Sequence, residues 1–522
     1  MWLYQEIRTL GDYPAWHARR TPTRVALRYD GRATTFAALD ALADGVARAL
    51  REAGVDADER VVFLGRNSDD FFIAMFGTAR AGACFAPLNW RLSQPELANV
   101  LRDSDARYAF VETEYLALWQ ALLTAAGLEI PHCEVNPAAD EADPLRRAAS
   151  AAPAAPLPAV GMEQGAIQLY TSGTTGDPKG VVITHDNLNH MRLCEHFEPA
   201  FDWQADDCFL VALPNFHLLA IGLSLQALYN GTQVLVARQF EPRLVLAALA
   251  DERPTLTSLT PTMLQMLLDQ PGAAAADFAS LRLLMYAGSP ISLGLIQRAI
   301  ALMPCEFMQF FGATETSGAV TLLRPGEHRL DDERKLKSCG RPLPLIELRI
   351  LDEQGSETPP GEPGELWVRS PSLASGYWRK PEETRRAFVD GWYRSGDIAY
   401  RDEDGLYYIH DRLKDMIVSG GENIYSTEVE SVLSTHPAVA GVAVIGVPDP
   451  RWGEAVKACV VLQPGVDATE ADLIDFCRTR LAGYKLPKSV DFLAAFPMTG
   501  SGKIAKKDLR APYWSSEGRS VA

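Results

Sequence analysis

The sequence has no cysteine framework. Its eight cysteines are scattered from Cys84 to Cys477, and none stands in a C-x-x-C pair. In a chain of this length that spacing argues against a disulfide scaffold or a zinc site, and for buried or free thiols in a reducing compartment. A long hydrophobic run is also missing. The most apolar stretch, Phe71 to Leu88, is interrupted by Arg80, Gly77 and Gly82. It fits a core helix and strand rather than a membrane span, which needs about 20 apolar residues. Met1 to Arg20 holds acids and aromatics but no apolar segment, so no signal peptide is expected. The expectation is a soluble cytoplasmic protein with no integral membrane segment. Positive charge is in deficit. Lys and Arg number 50 against 67 Asp and Glu, a net charge of −17. Such a balance disfavours nucleic acid and anionic lipid as partners. It does not exclude anionic small molecules, which a few local cations and backbone N–H groups can hold. There is no G-x-S-x-G elbow, no H-E-x-x-H pair and no internal repeat.

What is present is enough apolar residue for more than one core. The 522 residues exceed the roughly 250–300 at which single cores stop growing. Helical and strand patterns alternate. Phe36 to Ala53 has helical spacing, Val61 to Leu64 reads as a strand, and Phe71 to Arg80 reads as a helix. Arg107–Val111, Ala166–Tyr170, Val181–Ile183, Phe209–Ala212, Val234–Val236 and Leu283–Tyr286 are further strand candidates. Ile346–Leu351 and Glu365–Arg369 mark a β-rich section. Asn136 to Ala159, rich in Ala and Pro with little periodicity, reads as a surface connection. The fold class expected is α/β, with a large N-terminal domain (1–411) of mixed sheets flanked by helices. A small mobile α+β domain (412–522) is expected after it, with helices at Ser426–Ser434 and Ala471–Leu481 and strands at Val442–Val447 and Ala455–Leu462.

The strongest local signal is Thr171-Ser172-Gly173-Thr174-Thr175-Gly176-Asp177-Pro178-Lys179-Gly180, set between two strand candidates. Small residues let backbone N–H groups and hydroxyls close around phosphate oxygens, and Lys179 adds a point charge. It is not a Walker loop, because no Gly-Lys pair followed by Ser or Thr stands at the required spacing. Four more strings follow in order: Phe311-Gly312-Ala313-Thr314-Glu315, Tyr393-Arg394-Ser395-Gly396-Asp397, Asp411-Arg412-Leu413-Lys414-Asp415 with Ser419-Gly420-Gly421-Glu422-Asn423, and Pro497-Met498-Thr499-Gly500-Ser501-Gly502-Lys503-Ile504. Together they resemble the adenylate-forming, AMP-binding superfamily across nearly the whole chain. Acyl-CoA synthetases, firefly luciferase and the adenylation domains of peptide synthetases belong to it.

That resemblance implies ATP, Mg2+ and coenzyme A as cosubstrates and cofactor, and a small-molecule carboxylic acid as substrate. Carboxylate attack on the α-phosphorus builds negative charge on phosphate oxygens, so positioning and positive electrostatics do most of the work. By resemblance Lys503 serves that role, Glu315 binds magnesium and Thr314 contacts the α-phosphate. Phe311 lies against adenine, with Gly312 beside it, while Asp397 and Arg412 hold the ribose. Thr171 to Gly176 and Lys179 hold the phosphates. Lys414 is the hinge about which the small domain turns between an adenylating and a thioester-forming pose. The loop with Gly420, Gly421 and Glu422 enters in the second.

Two features favour coenzyme A as acceptor. Arg451-Trp452-Gly453-Glu454 resembles a segment that contacts the CoA nucleotide in aryl and fatty-acyl ligases, and Arg91 matches a CoA-phosphate position in some aryl ligases. No carrier-protein domain follows Ala522, which tilts the expectation the same way. For the acid, His217 in Pro214-Asn215-Phe216-His217 is expected beside the carboxylate. Gly288, Ser289, Pro290, Gly312, Thr316 and Gly318 are expected to line its pocket. These are small and neutral, which leaves an alkyl chain and an aryl ring both open. The reading is a fatty- or aryl-acid CoA ligase. Its alternatives are transfer to a carrier protein or another acceptor, and a non-catalytic nucleotide sensor. A homodimer stays open.

Overall fold

The computed structural model describes residues 3–152, 156–172, 178–204, 206–273, 276, 278–412, 415–419, 422–499 and 503–514. Two large sheets form its body. In the nine-stranded sheet the spatial order is Arg341–Pro342, Gly318–Leu323, Glu306–Ala313, Leu283–Tyr286, Leu256–Leu259, Cys208–Val211, Gln233–Val236, Val25–Tyr29 and Arg32–Thr35. The six strands from Glu306–Ala313 to Val25–Tyr29 are parallel, and the edge strands run antiparallel. Leu256–Leu259 and Leu283–Tyr286 are buried throughout, as runs covered on both faces must be. The seven-stranded sheet runs Gly376–Tyr377, Pro178–Thr184, Gly165–Ser172, Cys84–Pro87, Arg60–Leu64, Ala106–Glu112 and His132–Val135. A five-stranded antiparallel sheet, which includes Gly364–Arg369, Trp392–Arg401 and Tyr407–Arg412, completes the large part.

The strand and helix expectations hold with ends moved by one to three residues. The expected strand Phe209–Ala212 is Cys208–Val211 and the expected helix Phe71–Arg80 is Asp69–Arg80, started by the Ser68 side chain accepting from Phe71 N–H. Beyond Asp411 a smaller sheet has its own core of Ile417, Val429, Leu433, Val444, Val456 and Leu473. Its long strands Val439–Asp449 and Gly453–Leu462 are antiparallel, and helices Ser426–Leu433 and Glu470–Arg478 accompany them. Among the described residues no helix is long and apolar enough to cross a membrane.

One expectation is corrected. The segment read as an irregular surface connection contains a helix, Pro144–Ala151. Its Asp143 caps the first turn, and Leu145 and Ala149 are buried. The helix lies so close to Phe36–Glu52 that a Cβ on Gly45 would fall 2.1 Å from the Ala149 carbonyl oxygen. Two buried acids at the start of Asp69–Arg80 hold it there. Arg146 donates to Asp70 (2.7 Å) and Asp69 (2.6 Å), and Arg32 donates to Asp69 (Nε to Oδ2, 2.9 Å). Eight residues gave too short a stretch for periodicity, and the ion pairs that fix it come from residues 70 positions away and more.

Three acids, Asp69, Asp70 and Asp143, gather here around Arg32 and Arg146, and burial favours one retained proton among them. Burial, then the charge of Asp69, pushes the Asp70 carboxyl up to about 8. Because its folded value exceeds the unfolded one, the folded state binds the extra proton between about pH 4 and 8, and stability falls as pH rises through that window. Asp70→Asn keeps the shape of the protonated form. We expect it to flatten the decline in urea midpoint between pH 5.5 and 8 that the parent chain shows.

Candidate active site

The site lies where four adjacent parallel strands of the nine-stranded sheet end. Cys208–Val211 leads to Pro214–His217, and Leu256–Leu259 leads to Thr260. Leu283–Tyr286 leads to Ala287–Pro290, and Glu306–Ala313 leads to Thr314 and Glu315. The carboxyl edge of such a sheet is where an α/β fold leaves a crevice. His217 stands at the N-terminal cap of the helix Leu218–Tyr229, its ring 4.5 Å from that of Phe216. Gly288 has φ +94°, a left-handed conformation that glycine adopts at least cost, and it is exposed at the edge with Pro290; Ser289 is half-buried. Below this loop Tyr286 and His328 are hydrogen-bonded (3.0 Å). Burial drops His328 to about 4, so its ring is neutral at pH 7.

Phe311 is half-buried in Glu306–Ala313, and Gly312 follows it under a hard constraint. A Cβ on Gly312 would sit 2.1 Å from the Gly318 carbonyl oxygen. The chain then turns tightly through Thr314–Thr316. The Thr316 hydroxyl is used inside that turn, donating towards the Ala313 and Gly318 carbonyls (2.9 and 2.7 Å). Thr316, expected as a pocket wall, thus has its hydroxyl engaged within the turn. Glu315 is 8% exposed, and its Oε1 accepts a hydrogen bond from Tyr377 Oη at 3.0 Å.

The Gly-rich string begins and ends on two paired strands. Gly165–Ser172 pairs antiparallel with Pro178–Thr184, with Thr171 opposite Lys179 and Ser172 opposite Pro178. Gly173, Thr174, Thr175 and Gly176 lie outside the described residues. Lys179 carries its ammonium 4.9 Å from the ring centre of Tyr377. The strand that follows the Gly-rich string and Glu315 therefore meet at one tyrosine.

Asp397, on Trp392–Arg401, stands directly opposite Arg412 on Tyr407–Arg412, so both expected ribose contacts are adjacent in register. The side chain of Arg412 and all of Lys414, Gly420 and Gly421 lie outside the described residues. Lys503 comes from the small part. Thr499 and Lys503 close a tight hairpin, N–H of Thr499 donating to the Lys503 carbonyl at 2.7 Å. Its Cε lies 3.6 Å from where a Cβ on Gly288 would be, with Thr260 Cγ2 at 3.7 Å. The lysine of the last motif thus reaches the loop at the strand ends. Lys506, three residues on, is half-buried and paired with Glu430 (2.7 Å) and Ser426 (2.5 Å).

The two expected acceptor contacts stand on different surfaces: Trp452 on the small part, and Arg91 in a cavity beside the Lys503 hairpin. Trp452 is 42% exposed beneath the Arg451 guanidinium, 4.5 Å from its ring centre. Ser419 pairs with both Glu422 and Gly453, which draws exposed Glu422 next to the Trp452 turn. Arg91 lines a cavity of about 340 Å³ with Phe240, Met263, Met266, Met498 and Thr499, between the large part and the Lys503 hairpin. Burial, then the charge of Arg66, lowers the Arg91 pKa.

Residues 14–378 match the family model described as AMP-binding enzyme, and residues 428–503 match that of the AMP-binding enzyme C-terminal domain. The chain belongs to the AMP-binding enzyme family. A feruloyl-CoA synthase of an Amycolatopsis species is 40% identical to it over 505 residues, spanning 97% of this chain and 99% of that protein. A fatty acid–[acyl-carrier-protein] ligase of Streptomyces coeruleorubidus is 36% identical over 532 residues, 99% of each. Among solved structures, an o-succinylbenzoate CoA synthetase of Bacillus subtilis in complex with its acyl-adenylate intermediate superposes with a TM-score of 0.83 at 29% identity. It covers 95% of this chain and 97% of that one.

Within this AMP-binding enzyme, the strand-end geometry draws together Glu315, Lys179, Gly288 and Lys503. Motif reading missed Tyr377, Thr260 and the Tyr286–His328 brace. Tyr377 follows Gly376 in a two-residue strand, too short for any pattern to show. The close approach at Gly312 is directly testable. Gly312→Ala must push the Gly318 backbone away, and overpacking of this kind costs about 1–3 kcal/mol. We expect a matching drop in urea midpoint and a raised KM for ATP, measured on the purified variant.

Proposed function

We propose that the chain is an ATP-dependent carboxylate–CoA ligase acting on a fatty or aryl acid. The observation that carries this reading is the position of Lys503 against Gly288, at the carboxyl ends of the strands that also deliver His217, Thr314 and Glu315. In the first step a carboxylate oxygen attacks the α-phosphorus, the bond to pyrophosphate breaks, and acyl-AMP forms. In the second the CoA thiol attacks the acyl carbon and AMP leaves. A mixed anhydride splits one hard transfer into two easier ones.

In this reading the ammonium of Lys503 offsets charge building on the α-phosphate and the incoming carboxylate. Thr314 donates to the α-phosphate, and Lys179 with the Thr171–Gly176 loop holds the outer phosphates. Asp397 and Arg412 take the ribose, with Phe311 and Gly312 beside the adenine and the Gly288–Pro290 loop at its edge. His217 orients the acid. Glu315 suits magnesium by chemistry: it is a hard oxygen donor. Among the described residues no cluster of three His, Cys, Asp or Glu could hold a metal. One carboxylate plus phosphate and water oxygens is thus the donor set offered, and the cation would draw charge off the triphosphate.

Division at 411/412 follows from the same reading, with Lys414 as hinge between the large domain and a mobile small one. Glu422, with Gly420 and Gly421, and Trp452 and Arg91 would serve the acceptor. A second reading rests on the carrier-protein ligase relative: the same adenylate passed to a pantetheine thiol on a carrier. Purified enzyme given ATP, Mg2+ and a panel of alkyl, benzoate-like and cinnamate-like acids separates the two. Thioester formed with free CoA supports the first, and AMP-forming transfer only to a carrier protein supports the second.

Two variants test the division of labour. Lys503→Ala should lower acyl-AMP formation by about 10²–10³ while leaving CoA transfer from supplied acyl-AMP within a few-fold of the parent; equal losses in both half-reactions would sink the assignment. Lys414→Pro fixes φ at the hinge and should spare pyrophosphate release while stopping thioester formation. Full turnover in that variant would remove Lys414 as the pivot.

A further inference from the structure

Tyr377 belongs to none of the motifs, yet three of them converge on it. Its two-residue strand, Gly376–Tyr377, is hydrogen-bonded along the phosphate hairpin, with Tyr377 opposite Val181 and Gly376 opposite Val182. The flanking backbone is tied to both sides. Ala374 N–H donates to the Glu315 carbonyl (2.8 Å), and Trp378 N–H donates to the Gly180 carbonyl (2.7 Å). Its side chain repeats the link. The hydroxyl donates to Glu315 Oε1 at 3.0 Å, and the ring face carries the Lys179 ammonium at 4.9 Å. Tyr393, at the head of the string that ends in Asp397, hydrogen-bonds to the Tyr377 hydroxyl in turn.

We infer that Tyr377 is a positioning residue for the metal–triphosphate: it fixes the Glu315 carboxylate through one oxygen so that the other faces the cation, and it holds Lys179 at the mouth of the phosphate loop. This rests on the proposed role of Glu315. A carboxylate free to rotate presents its oxygen to a cation only part of the time. Partners behind a metal ligand that remove this freedom are typically worth about 10–100-fold in metal affinity. The ring's contribution is separate, because an ammonium over an aromatic face is attracted by its quadrupole without any hydroxyl.

The two contributions can be parted by mutation. Tyr377→Phe keeps the ring and removes only the hydroxyl; Tyr377→Leu removes both. Binding of ATP to the full chain would be measured by calorimetry across a Mg2+ titration and again in EDTA, beside melting temperature and adenylation rate. Tyr377→Phe is expected to raise the Mg2+ concentration for half-maximal ATP binding by about tenfold or more. Its melting temperature and its affinity for metal-free ATP should match the parent. Tyr377→Leu should in addition weaken metal-free ATP. An unchanged Mg2+ dependence in Tyr377→Phe overturns the inference, as does equal weakening with and without metal. Glu315→Gln distinguishes the levels: if it shifts the Mg2+ dependence and Tyr377→Phe does not, only Tyr377 loses its role. If neither shifts it, the metal assignment of Glu315 falls too.

Discussion

The near-contact of two strands at Gly312 governs the geometry around it. With Gly318 O only 2.1 Å from where a Cβ would be, strand Glu306–Ala313 meets its antiparallel neighbour more closely than side chains allow. Such an approach forces the chain out of the sheet and into the Thr314–Thr316 turn. Thr316 spends its hydroxyl on the two carbonyls that the turn exposes, and Ser317 takes φ +58° to complete it. Glu315, caught between, has its carbonyl fixed by Ala374 and its carboxylate by Tyr377. A packing constraint is thereby converted into the direction of one acidic side chain.

Charge follows a similar division. A chain of net charge −17 that uses an anionic cosubstrate needs local cations, and several of its other cations are paired with acids. Arg324 pairs with Glu198, Arg510 with Asp415 and Lys506 with Glu430. Removing Arg324 would leave the buried Glu198 carboxylate without its cation. Lys179 and Lys503 are the two half-buried lysines at the strand ends, on a hairpin stem and a hairpin turn respectively. A lysine is a compact charge on a flexible stem, suited to following phosphate oxygens that shift during reaction.

Much of this was legible in the sequence because the signals were local. Apolar four-residue runs such as Leu283–Tyr286 can be read as buried strands, and the Gly-rich string falls between two strand patterns that do pair with each other. What escaped reading was non-local. The helix Pro144–Ala151 depends on Asp69 and Asp70, and an Ala-rich stretch gives no hint of partners so far away. Lys506 pairs with Glu430 on a distant helix, a pairing that no local pattern marks. Tyr377 touches Glu315 across 62 positions, and no spacing rule links them.

The small part's own construction bears on how two half-reactions could share one site. Ile504 and Leu509, beside the Lys503 hairpin, pack with Ala443, Ile445 and Ala455. Ser419 pairs with Gly453 on the strand that carries Ala455, so the segment ending at Glu422 is fixed to the same sheet. The lysine hairpin and the Glu422–Trp452 face therefore belong to one packed body. Packed bodies respond by rotating as units rather than by bending internally. A rotation that carries one of these faces towards the strand ends must therefore carry the other with it.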